Sequence, residues 1–244
     1  MNVGFIHLGC SKNLVDTEMT IGLFKKNEYN IVNNPEEADI IIINTCGFIA
    51  SAQEEAINTI LEMAEYKKKR CKYLIAMGCL VQRFKDELEK EIPEVDLWIK
   101  YDSYNTIWEQ IEAVINPEKT KAKNLEFLDR TITTGDNFAY LRIAEGCNNF
   151  CTFCAIPKIR GPFVSRPMED ILKEAEKLAK EGYKELIIIA QDTTKYGTDL
   201  YEESKLAELL TKLCKIEDIK WIIFLYSYPE TITEKVISKA LKKL

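Results

Sequence analysis

The stretch Asp39-Ile-Ile-Ile-Ile-Asn44-Thr-Cys-Gly47 decides the fold of the first half of the chain. Four consecutive isoleucines without alternation are typical of a parallel strand that is buried on both faces of its sheet. The strand leads through Thr45-Cys46-Gly47 into a helix, for which Ser51-Ala-Gln-Glu54 provides the pattern of a capping box. A buried parallel strand followed by a helix predicts an α/β fold with right-handed crossovers.

The residues on either side of this stretch repeat the alternation of strand and helix. We predict further strands at residues 3–8, 29–32, 73–77 and 95–99, the last followed by a helix at residues 103–115. Together with residues 39–44 they make five parallel strands. This number and spacing predict a flavodoxin-like doubly wound parallel sheet with the strand order 2-1-3-4-5.

Three cysteines follow strands that are adjacent in this order. Cys10, Cys46 and Cys79 stand just past the carboxyl ends of strands one, three and four, the edge where open α/β sheets bind ligands. A small residue lands at one such place by chance often enough. Three cysteines, each next to a glycine, favour a shared site that holds an iron–sulfur cluster. Cys71 and Cys214 belong to neither this set nor the next, and we interpret both as structural.

Residues 118–137 are polar and predict a linker between a first domain, residues 1–117, and a second, residues 138–244. The alternation then restarts with strands at residues 139–143, 184–190 and 221–225. Pro167 marks the start of the helix after the first of these strands, and Gly182 marks its end. Further helices are predicted at residues 204–215 and after Thr231-Ile-Thr-Glu234. Three strand–helix units are too few to close a (β/α) barrel, so we expect an incomplete one.

The loop after the strand at residues 139–143 reads Cys147-Asn-Asn-Phe-Cys151-Thr-Phe-Cys154. Thiolates without histidine suit an iron–sulfur cluster. Three ligands for four irons leave one iron open, as catalytic metal sites do. The alternatives are a zinc site or cysteines without a metal, but zinc usually takes paired Cys-x-x-Cys motifs or added histidines, and His7 is the chain's only histidine.

Composition narrows the classes of protein. No apolar run is long enough to span a membrane and no basic, apolar leader opens the chain, so we expect a cytoplasmic protein without a membrane partner. In that compartment the 8 cysteines are more often ligands than disulfides. The net charge of −6 argues against binding nucleic acid through bulk electrostatics.

Four stretches resemble the methylthiotransferases of the radical S-adenosylmethionine superfamily, and within them the RimO type, which modifies a ribosomal protein rather than transfer RNA. Ser11 departs from the proline common in that family. The stretches are Gly9-Cys-Ser-Lys-Asn-Leu-Val-Asp-Thr-Glu18, Asn44-Thr-Cys-Gly-Phe-Ile49, residues 146–167 with Pro157-Lys-Ile-Arg-Gly161, and Gln191-Asp-Thr-Thr-Lys-Tyr-Gly197.

The resemblance implies two 4Fe-4S clusters and S-adenosylmethionine as cofactors. Cys147, Cys151 and Cys154 would hold the cluster that cleaves S-adenosylmethionine to a deoxyadenosyl radical. Cys10, Cys46 and Cys79 would hold an auxiliary cluster that carries the sulfur. The implied reaction places a methylthio group on the β-carbon of an aspartate in small-subunit ribosomal protein twelve. An electron donor such as flavodoxin or ferredoxin and a sulfur donor are implied as further partners.

Gln191 and Asp192 follow the second barrel strand, so they are candidates for contact with the cofactor, and a simple helix-entry turn is the alternative. Family members continue through the rest of the barrel into a TRAM domain, which is absent here, so we expect this chain to be inactive alone. Two other functions stay open: methylthiolation of transfer-RNA adenosine, and electron transfer without substrate chemistry. Electron carriers of this kind usually hold a cluster with four cysteines.

Overall fold

The computed structural model describes residues 1–117, 127–232 and 234–240, and the chain divides into two compact units, Met1–Thr131 and Ile132–Leu244. The first unit is a five-stranded parallel sheet with the order β2-β1-β3-β4-β5, which confirms the predicted flavodoxin-like order. Its elements are β1 Asn2–His7, α1 Ser11–Lys26, β2 Asn30–Val32, β3 Ile40–Thr45, α2 Ala50–Ala64, β4 Tyr73–Gly78, α3 Cys79–Glu91, β5 Leu97–Ile99 and α4 Ile107–Ile115.

The isoleucine run of β3 lies at the centre of this sheet, and all six of its residues are buried. Ile40 and Ile42 pack with the apolar side chains of α1 and α4, including Phe24 and Trp108. Ile41 and Ile43 pack on the opposite face with those of α2 and α3. A strand covered by helices on both faces has no polar side, which explains why the sequence shows no alternation here.

Two details of the predicted helices are wrong. Helix α2 begins at Ala50, so Ser51 lies inside it, and the residue before the helix, Ile49, makes no side-chain cap. Instead, the Gln53 amide donates to the carbonyl oxygen of Gly47 at 3.2 Å. The helix predicted at residues 103–115 begins as a 3-10 turn, and α-helical geometry starts at Ile107.

The predicted linker lies partly outside the described residues, which omit 118–126. The segment after that gap packs on α1 within the first unit. Arg130 and Glu18 form an ion pair of 3.3 Å with both side chains almost fully buried, and the Thr131 amide donates to the carbonyl oxygen of Glu18. A Cβ on Gly22 would lie 2.1 Å from the Asp129 carbonyl oxygen, so the backbones touch there.

The second unit contains a three-stranded parallel sheet with the order β10-β9-β6, covered on one face by α6 and α7. Pro167 precedes α6 directly and Gly182, with a φ of +103°, follows its last turn, as predicted. The two-residue strands β7 and β8 form an antiparallel pair that the sequence did not predict. The elements are β6 Phe138–Arg142, β7 Ala144–Glu145, α5 Ile156–Arg160, β8 Val164–Ser165, α6 Met168–Lys180, β9 Glu185–Ile189, α7 Leu206–Leu213, β10 Trp221–Phe224 and α8 Glu234–Ala240.

The helix predicted after Thr231 corresponds to α8, which begins at Glu234, while Thr231 itself closes a short 3-10 turn. Across residues 1–117, 127–232 and 234–240, no helix has the length and apolar character needed to cross a bilayer.

Candidate functional site

The first candidate site lies at the carboxyl end of the five-stranded sheet. Cys10 directly precedes α1, Cys79 is the first residue of α3, and Cys46 follows the end of β3. Two of the three cysteines therefore stand at the amino end of a helix, and the third stands at the end of the central strand.

Glycines bring the three cysteine loops into contact. A Cβ built on Gly9 would lie 2.9 Å from Cys46 Cβ and 3.3 Å from Cys46 Sγ, so the first loop lies against the second. A Cβ on Gly47 would lie 2.6 Å from the Cα of Leu80, so the second loop lies against the start of α3. These approaches place Cys46 between the two loops that carry Cys10 and Cys79.

Hydrogen bonds from side-chain amides and a hydroxyl join these loops directly. Buried Asn13 donates to the carbonyl oxygens of Leu8 at 3.2 Å and Thr45 at 2.9 Å. Buried Asn44 donates back to the carbonyl oxygen of Asn13 at 2.9 Å, and the Thr45 hydroxyl donates to that of Met77 at 2.7 Å. Sequence reasoning did not single out these three residues, although Asn13 and Asn44 stand beside the cysteines in the quoted stretches.

Two further residues border this site. The Arg83 guanidinium donates to the carbonyl oxygen of Gly47 and lies 4.7 Å from the ring of Phe84, which fixes a cation beside the Cys46 loop. Burial holds the pKa of His7 below its usual value, so its imidazole is neutral at pH 7. His7 ends β1, two residues before Gly9.

The second candidate site is the loop between β7 and α5. A Cβ on Gly146, whose φ is +68°, would lie 1.9 Å from the Pro162 carbonyl oxygen, so only glycine fits there. The Cys147 amide donates to the carbonyl oxygen of Gly161 at 3.1 Å, and that of Cys154 to the carbonyl oxygen of Cys151 at 2.9 Å. The loop is therefore closed at its base by backbone contacts.

Two buried arginines support that base. The carboxylate of Glu145 lies 2.9 Å from Arg142 and 3.1 Å from Arg160, and the side chains of both arginines are at least nine-tenths buried. Arg160 belongs to the Pro157-Lys-Ile-Arg-Gly161 run, which the sequence marked without a role. In the structure, Arg160 pairs with Glu145, two residues before Cys147, and so connects the end of the loop with its beginning.

The two residues predicted to contact the cofactor differ in their surroundings. Gln191 is half-buried, whereas Asp192 is fully buried at the end of β9. Asp192 Oδ1 accepts hydrogen bonds from the backbone N–H and the hydroxyl of Thr194. Asp192 Oδ2 accepts from the side-chain amide of Asn149 at 3.2 Å. The carboxylate of Asp192 thus joins the end of β9 to the cysteine loop.

All eight cysteines lie in described residues, and none of them forms a disulfide. Within the described part of the chain, no three Cys, His, Asp or Glu side chains converge closely enough to hold a single metal ion. Each thiolate of a four-iron cluster binds a different iron, so its ligands are spaced around the cluster rather than meeting at one point. The donor sets, three thiols in one loop and three at one sheet edge, are suited in chemistry to such a cluster.

The other two cysteines, Cys71 and Cys214, lie elsewhere in the chain. Cys71 is buried and its Sγ lies 3.3 Å from the carbonyl oxygen of Tyr73, and burial raises the pKa of its thiol. A thiol that stays protonated is a poor ligand and a poor nucleophile, in keeping with the structural interpretation of Cys71. Cys214 directly follows α7 and is half-buried.

Comparisons with known families match both parts of the chain. Residues 2–100 match the model of "Uncharacterized protein family UPF0004", and residues 141–243 match that of the "Radical SAM superfamily". Among solved structures, the radical S-adenosylmethionine methyltransferase TsrM of Kitasatospora setae is similar with a TM-score of 0.66 at 10% identity, covering 98% of this chain and 58% of that one. At this identity the likeness concerns the fold alone.

Two curated relatives are much more similar in sequence, and both are named "Ribosomal protein uS12 methylthiotransferase RimO". The protein of Alkaliphilus oremlandii is 65% identical over 97% of this chain and 54% of its own length. That of Clostridium botulinum is 54% identical over 97% of this chain and 55% of its own length. The chain thus spans about half the length of the curated relatives it matches, and over that half it is similar to these RimO proteins, with residues 141–243 matching the radical SAM superfamily.

Proposed function

We propose that this protein places a methylthio group on the β-carbon of an aspartate in ribosomal protein uS12. The observation that carries the proposal is the presence of two sets of three cysteines, one in each compact unit. Each set stands past the carboxyl end of parallel strands, where α/β proteins bind ligands and gather catalytic groups. The names of the relatives supply the substrate.

In this proposal the loop cysteines Cys147, Cys151 and Cys154 hold one 4Fe-4S cluster, and Cys10, Cys46 and Cys79 hold a second. When bound, the loop cluster and S-adenosylmethionine supply the radical that removes a hydrogen atom from the substrate carbon, and the auxiliary cluster supplies the sulfur. The protein's own contribution is to leave one iron of each cluster without a protein ligand.

The remaining residues around the loop have supporting roles. Gln191 is the side chain that we propose for contact with S-adenosylmethionine, because it is half-buried at the end of a barrel strand. Asp192 is fully buried and already bonded to Thr194 and Asn149, which favours a role in orienting the loop. An electron donor, such as flavodoxin or ferredoxin, and a sulfur donor complete the proposed reaction in the cytoplasm.

Methylthiolation of transfer RNA is the alternative within the superfamily. A net charge of −6 gives these 244 residues no overall attraction for a polyanion, and the relatives carry a ribosomal-protein name. An electron carrier would need no open iron, and the described cysteines offer three ligands to each cluster rather than four. Both observations favour the ribosomal-protein reaction.

Iron analysis after anaerobic reconstitution is the first test. Two four-iron clusters correspond to about eight irons and about eight sulfides per chain. We expect this content, with the Cys151→Ala and Cys46→Ala variants each losing roughly half of it. Stoichiometric zinc without sulfide in the unsubstituted chain would contradict the proposal.

The roles of the two clusters are then distinguished by the products that two variants form, in a protein extended to the length of the relatives. Cys151→Ala should abolish cleavage of S-adenosylmethionine, so neither deoxyadenosine nor modified substrate forms. Cys46→Ala should still form deoxyadenosine while leaving the uS12 aspartate unmodified, because the sulfur-carrying site is lost. Chromatography of deoxyadenosine and mass spectrometry of a uS12 peptide measure both, and Cys71→Ala is the control that should retain both products. Methylthiolation by Cys46→Ala at a normal rate would remove the auxiliary role from Cys10, Cys46 and Cys79.

A further inference from the structure

The side chain of Asn149, between the first two cysteines of the loop, is held at both ends by residues that follow β9. Its amide nitrogen donates to Asp192 Oδ2 at 3.2 Å, and its amide oxygen accepts from the Lys195 ammonium. Lys195 Nζ also lies 4.0 Å from Asp192 Oδ2. We call these three residues the Asn149 clamp. Both ends of the amide are used, so its orientation is fixed.

The Asp192 end of the clamp is rigid. Asp192 has no exposed surface, and its second oxygen accepts from the Thr194 amide at 3.2 Å and from the Thr194 hydroxyl. The Thr194 hydroxyl in turn lies 2.6 Å from that of Thr231. A buried carboxylate whose hydrogen bonds are all made to neighbouring groups has little freedom to move. The clamp therefore ties the cysteine loop to the buried turn that follows β9.

The consequence of the clamp lies in the backbone of Asn149 rather than in its side chain. The Asn149 N–H donates to Cys147 Sγ, with a nitrogen–sulfur distance of 3.5 Å. Hydrogen bonds to the sulfurs of an iron–sulfur cluster stabilise its reduced, more negative form and so raise its reduction potential. Such ligand orientation by residues outside the ligand set commonly tunes metal sites.

We infer that the Asn149 clamp holds the Asn149 N–H against Cys147 Sγ and thereby raises the reduction potential of the cluster bound by this loop. Asn149, Asp192 and Lys195 act as positioning residues, since they act on the cluster through the backbone of the loop. The inference rests on the proposed function only in requiring that the loop bind a cluster. Its rival is that Asn149 is a polar loop residue whose side-chain contacts leave the ligand sulfur unaffected.

The test uses the full 244-residue chain with Cys10, Cys46 and Cys79 replaced by alanine, so that only the loop cluster is measured. Asn149→Ala in this background changes no formal charge and keeps the backbone N–H of residue 149, so it removes the clamp without removing the donor to Cys147 Sγ. We expect its midpoint, from a redox titration followed by electron paramagnetic resonance, to shift to more negative values. We also expect faster loss of iron to a chelator. Asn148→Ala is the matched control, because that amide accepts from the Phe163 N–H instead and lies outside the clamp, so the midpoint should stay unchanged.

Exchanging the amide of residue 149 and the carboxylate of residue 192 should restore the clamp. Asn149→Asp alone sets a second carboxylate against Asp192 and should open the clamp, whereas combining it with Asp192→Asn restores one carboxylate and one amide. The double variant should recover the slow iron loss of the parent chain. An unchanged midpoint in Asn149→Ala, or an equal shift in Asn148→Ala, would overturn the inference alone. A parent chain that binds no iron in this loop would overturn the proposed function and the clamp together.

Discussion

Gly22 lies where residues 127–131 cross helix α1. Its lack of a Cβ decides whether replacing it with alanine raises or lowers the stability of the first unit. In an exposed helix, replacing glycine with alanine stabilises by about 1 kcal/mol. Here a Cβ would lie 2.1 Å from the carbonyl oxygen and 2.8 Å from the carbonyl carbon of Asp129, so backbone must move. We expect Gly22→Ala to lower the free energy of unfolding of the first unit by roughly 1–3 kcal/mol.

Urea unfolding of the chain without metal measures this effect. Asn58→Ala, at an exposed position inside α2, is the control for helix propensity and should stabilise by a few tenths of a kcal/mol, about the amount that propensity scales give. If Gly22→Ala stabilised by as much as or more than the control, the close packing of residues 127–131 on α1 would be refuted.

The turn between β4 and α3 sets the position of a whole helix, because Gly78 ends the strand and Cys79 begins α3. Gly78 has a φ of +105°, and a Cβ on it would lie 2.4 Å from Asn44 Oδ1 and 2.5 Å from the Thr45 carbonyl oxygen. Gly78→Ala should therefore displace the start of α3 and with it Cys79. We expect reconstituted iron to fall from about eight to about four atoms per chain, because the loop cluster is in the other unit.

Gly182→Ala is the matched control for Gly78→Ala, because its φ of +103° is nearly the same and nothing stands within 4 Å of the added Cβ. It carries the backbone strain without the contacts, so its iron content should stay at that of the parent chain. Circular dichroism must show that both variants keep their helices. Full iron in a folded Gly78→Ala chain would argue against Cys79 as a ligand.

The sequence predicted elements well where their pattern was long and unambiguous. The isoleucine run of β3 and the glycine after α6 identified a buried strand and a helix end, and the order of the five strands followed from their spacing. The capping box at Ser51 failed because the helix begins one residue earlier, at Ala50, so Ser51 lies in its first turn rather than before it. Strands β7 and β8 have two residues each, too few to show any period.

For the candidate sites, the sequence identified the cysteines but not the asparagines that support them. Spacing identified the six cysteines and placed three of them at one sheet edge, since parallel strands end together. It did not reveal Asn13, Asn44 or Asn149, because an asparagine that joins two loops has no sequence pattern of its own. Its partners are set by tertiary contacts such as the one between Asn149 and Asp192, 43 positions apart.

Strand β10 forms an edge of the sheet in the second unit. Among the described residues, β10 pairs with β9 alone, and its side chains Trp221 and Ile223 are 57% and 39% exposed. Ile222 and Phe224, which alternate with them, pack on the core. An apolar strand at a sheet edge invites pairing with another chain.

We therefore expect this 244-residue chain to self-associate in a concentration-dependent way, and Ile223→Lys to reduce the association markedly. Sedimentation velocity over a range of concentrations measures it. Ile237→Lys adds the same charge at another exposed isoleucine, in α8, and should leave the association unchanged. A monomeric parent chain, or equal effects of the two lysines, would show that the β10 edge is not the contact.

The hydrogen bonds of Asn13, Asn44 and Thr45 have a consequence for the order of events in a cell. Small zinc domains fold only when their metal arrives, because nothing else holds their ligands. In this sheet, hydrogen bonds within the protein already join the loops that carry the cysteines. We therefore expect the first unit to fold without iron and to receive its cluster afterwards. A chain that has lost its iron to oxygen should then keep its fold and take up iron and sulfide again.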